Sequence, residues 1–217
     1  MFINHKHKFI FIHIPKNAGT SIRNSFQIEG YDKKVVNKPY PHNSCSEIKT
    51  YCGDTVWETF YKFAVVRNPY ERLVSYYHFH KSPQYRFPAL ANKYTFSDWI
   101  RKGLDNNLKK TQSDYLDIKI NQVGRLETLQ DDFNLFCDLI GIPSYTLPKY
   151  NVSKHEHWET YYTDEDKEIV YEAVKQYGDA LEYADDTFKK NKEIVLEAVK
   201  NSGRSFDYAD EDLKYDK

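Results

Sequence analysis

Hydrophobic and polar positions divide the chain into short apolar runs and longer stretches with helical spacing. Apolar runs cover residues 9–14 and 61–66, and residues 118–126 alternate between apolar and polar side chains. Runs of this length, separated by stretches with apolar residues three and four apart, are typical of strands joined by helices. The pattern therefore predicts an α/β fold, in which a parallel sheet is covered by helices.

The segments between these runs carry helix-start signals. A helix is predicted over about residues 20–28, followed by a short strand at 33–37. Ser44 with Glu47 three residues later is a capping box, which predicts that the next helix begins there. Pro69 suits the first position of the helix after the 61–66 run, because a missing N–H costs nothing there.

Residues 15–21, Pro-Lys-Asn-Ala-Gly-Thr-Ser, join the first predicted strand to its helix. Gly19 can adopt backbone conformations closed to other residues and lets a ligand approach closely. The first amides of the helix lack partners within it and would face an anion. Lys16 adds a charge, and Thr20 and Ser21 add hydroxyl donors. The segment predicts phosphate-type binding, with an ordinary capped helix after a buried strand as the alternative.

The same segment is not a nucleoside-triphosphatase P-loop. In that motif the lysine follows the last glycine and directly precedes Ser or Thr. Here Lys16 precedes the turn, and no Gly-Lys-Ser occurs in the chain.

Residues 63–77 form a second strand-to-helix segment with candidate anion-binding side chains. An apolar strand ends in Arg67, and Ser75 follows on the second turn of the predicted helix. A hydroxyl in that position and an arginine at the strand end are able to share one anion.

Taken together, the two segments resemble the sulfotransferases that use 3′-phosphoadenosine-5′-phosphosulfate (PAPS), in particular the carbohydrate O-sulfotransferase branch. Pro-Lys-Asn-Ala-Gly-Thr-Ser is followed about fifty residues later by Val-Arg-Asn-Pro-Tyr-Glu-Arg-Leu-Val-Ser-Tyr-Tyr. The resemblance implies a P-loop-like sulfotransferase fold. It also implies a 3′-phosphate site at Arg67 and Ser75, and a 5′-phosphosulfate loop formed by Lys16, Asn17, Ala18, Gly19, Thr20 and Ser21.

Further candidates lie outside the two motifs. His42 ends a loop with two prolines and precedes a helix. Imidazole titrates near neutral pH, and the resemblance makes His42 the general base. Gln112, in Gln-Ser-Asp-Tyr-Leu, is a candidate substrate contact, with a polar loop as the alternative. The resemblance also makes Asn151, Ser153 and Lys154 candidate nucleotide contacts.

Residues 123–127, Val-Gly-Arg-Leu-Glu, resemble a further strand end of that family, Gly-Arg-Phe-Glu-Asn. The chain departs from the pattern at Thr128, where asparagine is common, so no role is carried over to this side chain. Apolar residues then recur at helical spacing up to Gly141, which predicts a helix packed on the core.

The C-terminal region contains an internal repeat with a period of 25 residues, since residues 167–175 recur at 192–200. Each unit predicts a helix with a glycine stop, and the repeat resembles a tandem helical repeat of unknown function. We expect a sulfotransferase-like domain over residues 1–185 and an appended unit over 186–217, with the first unit, 167–191, overlapping the main domain. The repeat is either a partner-binding module or a solvated helical tail.

Composition narrows the class of protein. The net charge is −1 and no basic tract occurs, which argues against nucleic-acid binding. No stretch is long and apolar enough to span a bilayer, and no secretory h-region is present. The three cysteines are odd in number and form no disulfide framework. These features favour a soluble, cytoplasmic protein.

The predicted reaction is in-line transfer of the sulfuryl group from PAPS to an acceptor hydroxyl. The resemblance favours a carbohydrate acceptor, His42 as base, Lys16 on the leaving phosphate, and adenosine 3′,5′-bisphosphate as product. No metal is expected, because lysine and amides supply the positive field. Two alternatives are a kinase-like enzyme that binds a nucleoside triphosphate and a non-catalytic nucleotide- or partner-binding protein.

Overall fold

The computed structural model describes residues 1–28, 42–82, 92–102, 110–150, 155–175, 189–201 and 203–214 of the 217-residue chain. The strand predicted at 33–37 lies outside these residues. The chain divides into two compact units, one of residues 1–66 with 114–152 and the other of residues 67–113 with 153–217. Each unit is described by itself.

Strands and helices alternate along the chain up to the helix that follows β4, apart from the two adjacent strands at the N-terminal end. The strands are β1 (Phe2–Asn4), β2 (Phe9–Ile12), β3 (Tyr61–Val66) and β4 (Gln122–Arg125). The described α-helices are α1 (Gly19–Ile28), α2 (Cys45–Cys52), α3 (Asp54–Thr59), α4 (Pro69–Lys81), α5 (Phe96–Lys102), α6 (Leu129–Leu139), α7 (Asp164–Lys175), α8 (Lys192–Asn201) and α9 (Glu211–Lys214). Short 3₁₀ turns lie at Ser113–Tyr115, Trp158–Tyr161 and Gly203–Tyr208.

The strands form one sheet in the order β1-β2-β3-β4. The parallel prediction is confirmed for β2, β3 and β4, whereas β1, which was not predicted as a strand, pairs antiparallel with β2. The reason is the short link between them. Residues 5–8 form a turn in which Asn4 Oδ1 accepts from His7 N at 2.8 Å and Lys8 has a φ of 52°. So short a link returns the chain antiparallel, because a parallel neighbour requires a crossover of a dozen or more residues.

The core of the first unit lies on the central strands. All four residues of β2 are buried, as are five of the six in β3. Rings from α1 and α6 pack against them, including Phe26 at 4.8 Å from Phe9 and Phe136 at 4.4 Å from Phe63, measured between ring centroids. β2 is apolar at every position and β3 at every position except Lys62. Such near-continuous apolar runs are typical of strands buried on both faces.

Helix α6 lies very close to β4. A Cβ added at Gly124 would lie 2.8 Å from Asp132 Cβ and 2.9 Å from Phe136 Cζ. Asp132 Oδ2 also accepts from Arg125 N and from Thr128 Oγ1, both at 2.7 Å. Thr128, where the chain departs from the family pattern, thus binds the carboxylate that holds the end of β4.

The second unit has its own aromatic core around α4. Tyr77 and Trp99 are buried in it with ring centroids 5.6 Å apart. Helix α8 contributes Ile194, Val195 and Ala198 to the same cluster. The boundary predicted between residues 185 and 186 stays a prediction, but side chains from both sides of it share one core.

The helix-start signals are confirmed at two positions. Ser44 Oγ accepts from Glu47 N, and the Glu47 carboxylate accepts from Ser44 N at 2.8 Å, so the capping box is complete. Pro69 begins α4, and Asn68 caps it by accepting from Tyr70 N at 2.9 Å. Among the described residues, no helix combines the length and apolar character needed to cross a membrane.

Candidate functional site

Residues 13–18 connect β2 to α1, and two of them have unusual backbone conformations. Lys16 has a φ of 69° and Ala18 a φ of 55°. Such left-handed values are uncommon for residues with a Cβ, cost of order 1–3 kcal/mol each, and concentrate at functional sites. The expectation that Gly19 provides the special conformation is therefore corrected, because Gly19 is the first residue of α1 and lies outside the left-handed region.

Gly19 is required for a different reason. A Cβ at this position would lie 1.8 Å from Cδ2 and 1.9 Å from Nε2 of His13. The imidazole of His13 therefore occupies the space that a side chain at residue 19 would need. His13, one residue after β2, was not among the predicted site residues. Only its place beside the anion loop in the sequence could have drawn attention to it.

The polar side chains of the loop make tertiary contacts in the first unit. Asn17 is buried, and its Nδ2 donates to Val65 O at 2.8 Å, which ties the loop to the end of β3. Ser21 is also buried, and its Oγ accepts from Tyr150 N at 3.3 Å. Lys16 and Thr20 are half-buried. The structure thus places all of the predicted loop residues, 16–21, around the N-terminus of α1.

His42 lies beside His13. Its Nδ1 is 3.0 Å from the backbone oxygen of His13, and the two ring centroids are 4.5 Å apart at an interplanar angle of 65°. A carbonyl oxygen only accepts, so we infer that Nδ1 of His42 carries the proton in this contact. In the neutral ring, Nε2 is then the nitrogen with the lone pair.

The chain after His42 is held at the start of α2. Asp117 Oδ1 accepts from Ser46 N at 2.9 Å, and its Oδ2 accepts from the Ser46 hydroxyl. A carboxylate at a helix N-terminus is favoured by the helix dipole. This contact and the capping box fix the helix that His42 precedes.

The imidazole of His13 is uncharged near neutral pH. Burial lowers the pKa of His13 well below its usual value, and the neighbouring His42 and Arg23 lower it further. Desolvation disfavours the charged form of a buried base. His13 therefore acts here as a neutral ring packed between Gly19 and His42.

In the second unit, Arg67 lies at the start of the chain segment that enters α4. Its side chain is 13% exposed, and its Nε donates to Glu71 Oε2 at 3.2 Å. Ser75 lies on α4 and is 6% exposed. Both predicted 3′-phosphate residues are thus on one segment, partly or fully buried.

Gln112 contacts the backbone of Arg67 with both ends of its amide. Arg67 N donates to Gln112 Oε1 at 2.9 Å, and Gln112 Nε2 donates to Arg67 O at 2.7 Å. Arg72 is buried, and its Nη1 donates to Lys110 O at 3.3 Å. Its guanidinium also lies 5.7 Å from the centre of the Tyr76 ring. Both contacts hold the Arg72 side chain within the fold of the second unit.

Some candidates lie outside the described residues. Asn151, Ser153 and Lys154 belong to this group, although the preceding residue, Tyr150, contacts Ser21. Within the described ranges, no group of three or more His, Cys, Asp and Glu side chains is arranged to hold a metal ion.

Comparison with known proteins gives one curated relative. The chain is 25% identical to carbohydrate sulfotransferase 10 of Xenopus laevis over 243 aligned positions, which cover 87% of this chain and 68% of that protein. The chain is a distant relative of a sulfotransferase. This relationship supports an enzyme of the sulfotransferase class.

Residues 166–214 match a family described as a domain of unknown function, DUF4116. This range overlaps the two units of the internal repeat. No solved structure gives a significant match to the chain.

Proposed function

We propose that the protein transfers the sulfuryl group of PAPS to an acceptor hydroxyl, with a carbohydrate as the acceptor. The observation that carries this proposal lies in the first unit. The start of α1 at Gly19 and the oriented imidazole of His42 both lie against His13, and the loop that leads to Gly19 is strained at Lys16 and Ala18. An anion loop and a candidate base are thereby held together, and the similarity to a carbohydrate sulfotransferase names a reaction that needs both.

The loop would hold the 5′-phosphosulfate end of the donor. The first amides of α1 have no partners within the helix and carry the positive end of its dipole. Lys16 adds a positive charge beside them. The left-handed backbone at Lys16 and Ala18 supports this role, since consecutive turn amides of this kind form concave anion sites.

His42 would act as the base. Its Nε2 takes the proton of the acceptor hydroxyl while that oxygen attacks sulfur, and the bond from sulfur to the 5′-phosphate oxygen breaks. The electron pair of that bond remains on adenosine 3′,5′-bisphosphate, where Lys16 and the amides of α1 stabilise the charge. The contact from Nδ1 to His13 O supports this assignment because it leaves the lone pair on Nε2.

Arg67 and Ser75 would bind the 3′-phosphate. A guanidinium and a hydroxyl are suitable donors for phosphate oxygens. The contact with Glu71 supports this role by orienting Arg67 before any ligand arrives. Asn151, Ser153 and Lys154 remain proposed nucleotide contacts, and a protein partner for the C-terminal repeat remains a prediction.

The test is thermal stability with adenosine 3′,5′-bisphosphate, 5′-AMP or Mg-ATP. A ligand that binds only the folded state stabilises it by about 2.7 kcal/mol at a hundredfold excess over its dissociation constant. We expect a large shift with the bisphosphate alone, lost in Arg67→Ala and kept in Arg101→Ala, a matched control whose side chain is 44% exposed.

The other outcomes decide between the alternatives. A shift with Mg-ATP and none with the bisphosphate would favour a kinase-like enzyme. Tight binding of the bisphosphate, with no transfer of labelled sulfate from PAPS to a broad acceptor panel, would favour a non-catalytic nucleotide-binding protein.

A further inference from the structure

Gln112 and Arg67 make a paired backbone contact that resembles one rung of a sheet. The carboxamide accepts from Arg67 N at 2.9 Å and donates to Arg67 O at 2.7 Å, across 45 residues of sequence. Both distances are those of good hydrogen bonds. Strand β3 ends one residue earlier, at Val66. The side chain of Gln112 therefore pairs with the backbone of the residue that follows the strand.

A carboxamide meets both requirements of this contact. It presents a donor and an acceptor on one rigid plane, whereas a carboxylate only accepts and an apolar side chain does neither. With both backbone groups of Arg67 held, the direction in which its side chain leaves the chain is restricted.

The residues after Arg67 are held as well. Asn68 Oδ1 accepts from Tyr70 N at 2.9 Å and from Glu71 N at 3.3 Å, which fixes the first turn of α4. Glu71 in turn accepts from Arg67 Nε at 3.2 Å. Arg67 is thus oriented by its backbone through Gln112 and by its side chain through the helix.

We propose that Gln112 is a positioning residue that sets the guanidinium of Arg67 for the 3′-phosphate, and that it thereby determines the preference for a 3′-phosphorylated nucleotide. This inference rests on the proposed function. It gives Gln112 a role that does not require the substrate contact expected from the family resemblance. The physical reason is preorganisation, since an arginine already oriented loses less freedom when the phosphate binds.

The experiment compares dissociation constants for adenosine 3′,5′-bisphosphate and 5′-AMP by calorimetry. The variant is Gln112→Met, which keeps the unbranched chain length and removes both hydrogen bonds. We expect the ratio of the two constants to fall by about tenfold or more, since charge-assisted hydrogen bonds to phosphate depend on geometry. The affinity for 5′-AMP should stay within about twofold of wild type, because that ligand lacks the group Arg67 binds.

A matched control is available in the first unit. Gln130 makes the same kind of two-sided contact, since its Nε2 donates to Tyr145 O at 3.1 Å and its Oε1 accepts from Leu147 N at 2.9 Å. Gln130→Met removes these two hydrogen bonds and a third, from Nε2 to Asn134 Oδ1 at 2.9 Å. It should leave the ratio between the two nucleotides unchanged.

The outcomes distinguish a failure of the positioning role from a failure of the proposed function. An unchanged ratio in Gln112→Met, or an equal loss of affinity for both nucleotides, would overturn the positioning role. If Gln112→Met does not fold, Gln112→Glu keeps the acceptor for Arg67 N and loses the donor to Arg67 O. An unchanged ratio in that variant would overturn the role as well. A wild-type protein that binds the bisphosphate no better than 5′-AMP would instead refute the 3′-phosphate site, and with it the proposed function.

Discussion

The two candidate anion-binding segments hold their key residues by different means. In the first unit, the loop before α1 has left-handed backbone at Lys16 and Ala18, and a histidine ring packs against Gly19. In the second unit, Arg67 is held by hydrogen bonds to its backbone and an ion pair to its side chain. At Gly19 the close packing leaves no room for an added side-chain atom. At Arg67 the geometry depends instead on the hydrogen-bonding groups of its partners. The two segments should therefore fail in different ways when they are mutated.

The largest expected effect is on the rate of sulfuryl transfer, and it distinguishes the proposed base, His42, from the proposed donor-binding residue, Arg67. His42→Asn removes the proposed base and should lower the rate of sulfuryl transfer by about 10²–10⁴-fold, the usual contribution of a general base. Binding of adenosine 3′,5′-bisphosphate should remain. Arg67→Ala should show the opposite pattern, in which the main loss is in affinity for adenosine 3′,5′-bisphosphate. Transfer assays with labelled PAPS and calorimetry on both variants measure this, and equal losses of binding in both would contradict the division of roles.

The next effect concerns the aromatic core around α4 in the second unit. Ile169 and Ile194 occupy equivalent positions in the 25-residue repeat, but Ile169 is 42% exposed and Ile194 is 8% exposed. Ile194→Ala should lower the free energy of unfolding by about 2–4 kcal/mol, because it leaves a cavity in the cluster that includes Tyr70 and Val74.

Ile169→Ala is the matched control and should cost less than about 1 kcal/mol, as surface substitutions do. Urea denaturation measures both variants. Equal costs at the two positions would mean that α8 is not part of this core.

A smaller effect is expected from packing in the first unit. Gly19→Ala places a methyl group within 1.9 Å of the His13 ring and should destabilise the fold by about 1–3 kcal/mol, the usual range for overpacking. It should also displace His13 from His42.

The double variant Gly19→Ala, His13→Ala provides the check on this contact. Removal of the ring makes room for the methyl group, so the double variant should be more stable than the sum of the two single changes predicts. Additive costs, measured by urea denaturation, would show that the two residues do not compete for one space.

The smallest effect is a pH dependence of stability. The folded state holds the pKa of His13 well below the ordinary value of about 6.5 for histidine. Below about pH 6.5 the unfolded chain binds a proton that the folded chain does not, so stability falls as the pH drops from 7 towards 5. The slope from one proton is at most about 1.4 kcal/mol per pH unit. His13→Gln should flatten this slope in urea denaturation between pH 7 and 5, and an unchanged slope would exclude His13 as its source.

Local sequence signals predicted much of the fold. Strand β3 was predicted at its observed bounds, and α1 begins one residue before its predicted start. The capping box at Ser44 and the proline at the start of α4 are confirmed. Each of these signals depends on residues within a few positions of one another, so the amino-acid pattern alone is sufficient.

Contacts between distant residues could not be predicted in this way. The His13 ring lies against Gly19, and His42 reaches the His13 carbonyl from 29 residues away. Gln112 reaches Arg67 from 45 residues away. The antiparallel strand β1 was also missed. Its three residues are too few to show the periodicity that identifies a strand.

The sequence by itself determined the central strands, the starts of α2 and α4 and the residue types available for an anion site, since these follow from local periodicity and side-chain chemistry. Only the tertiary structure decided which loop residues carry the left-handed backbone, which nitrogen of His42 donates, and which side chain holds Arg67. The physical reason is that strain, tautomer and preorganisation depend on what packs against a residue. Those neighbours are set by the folded chain as a whole.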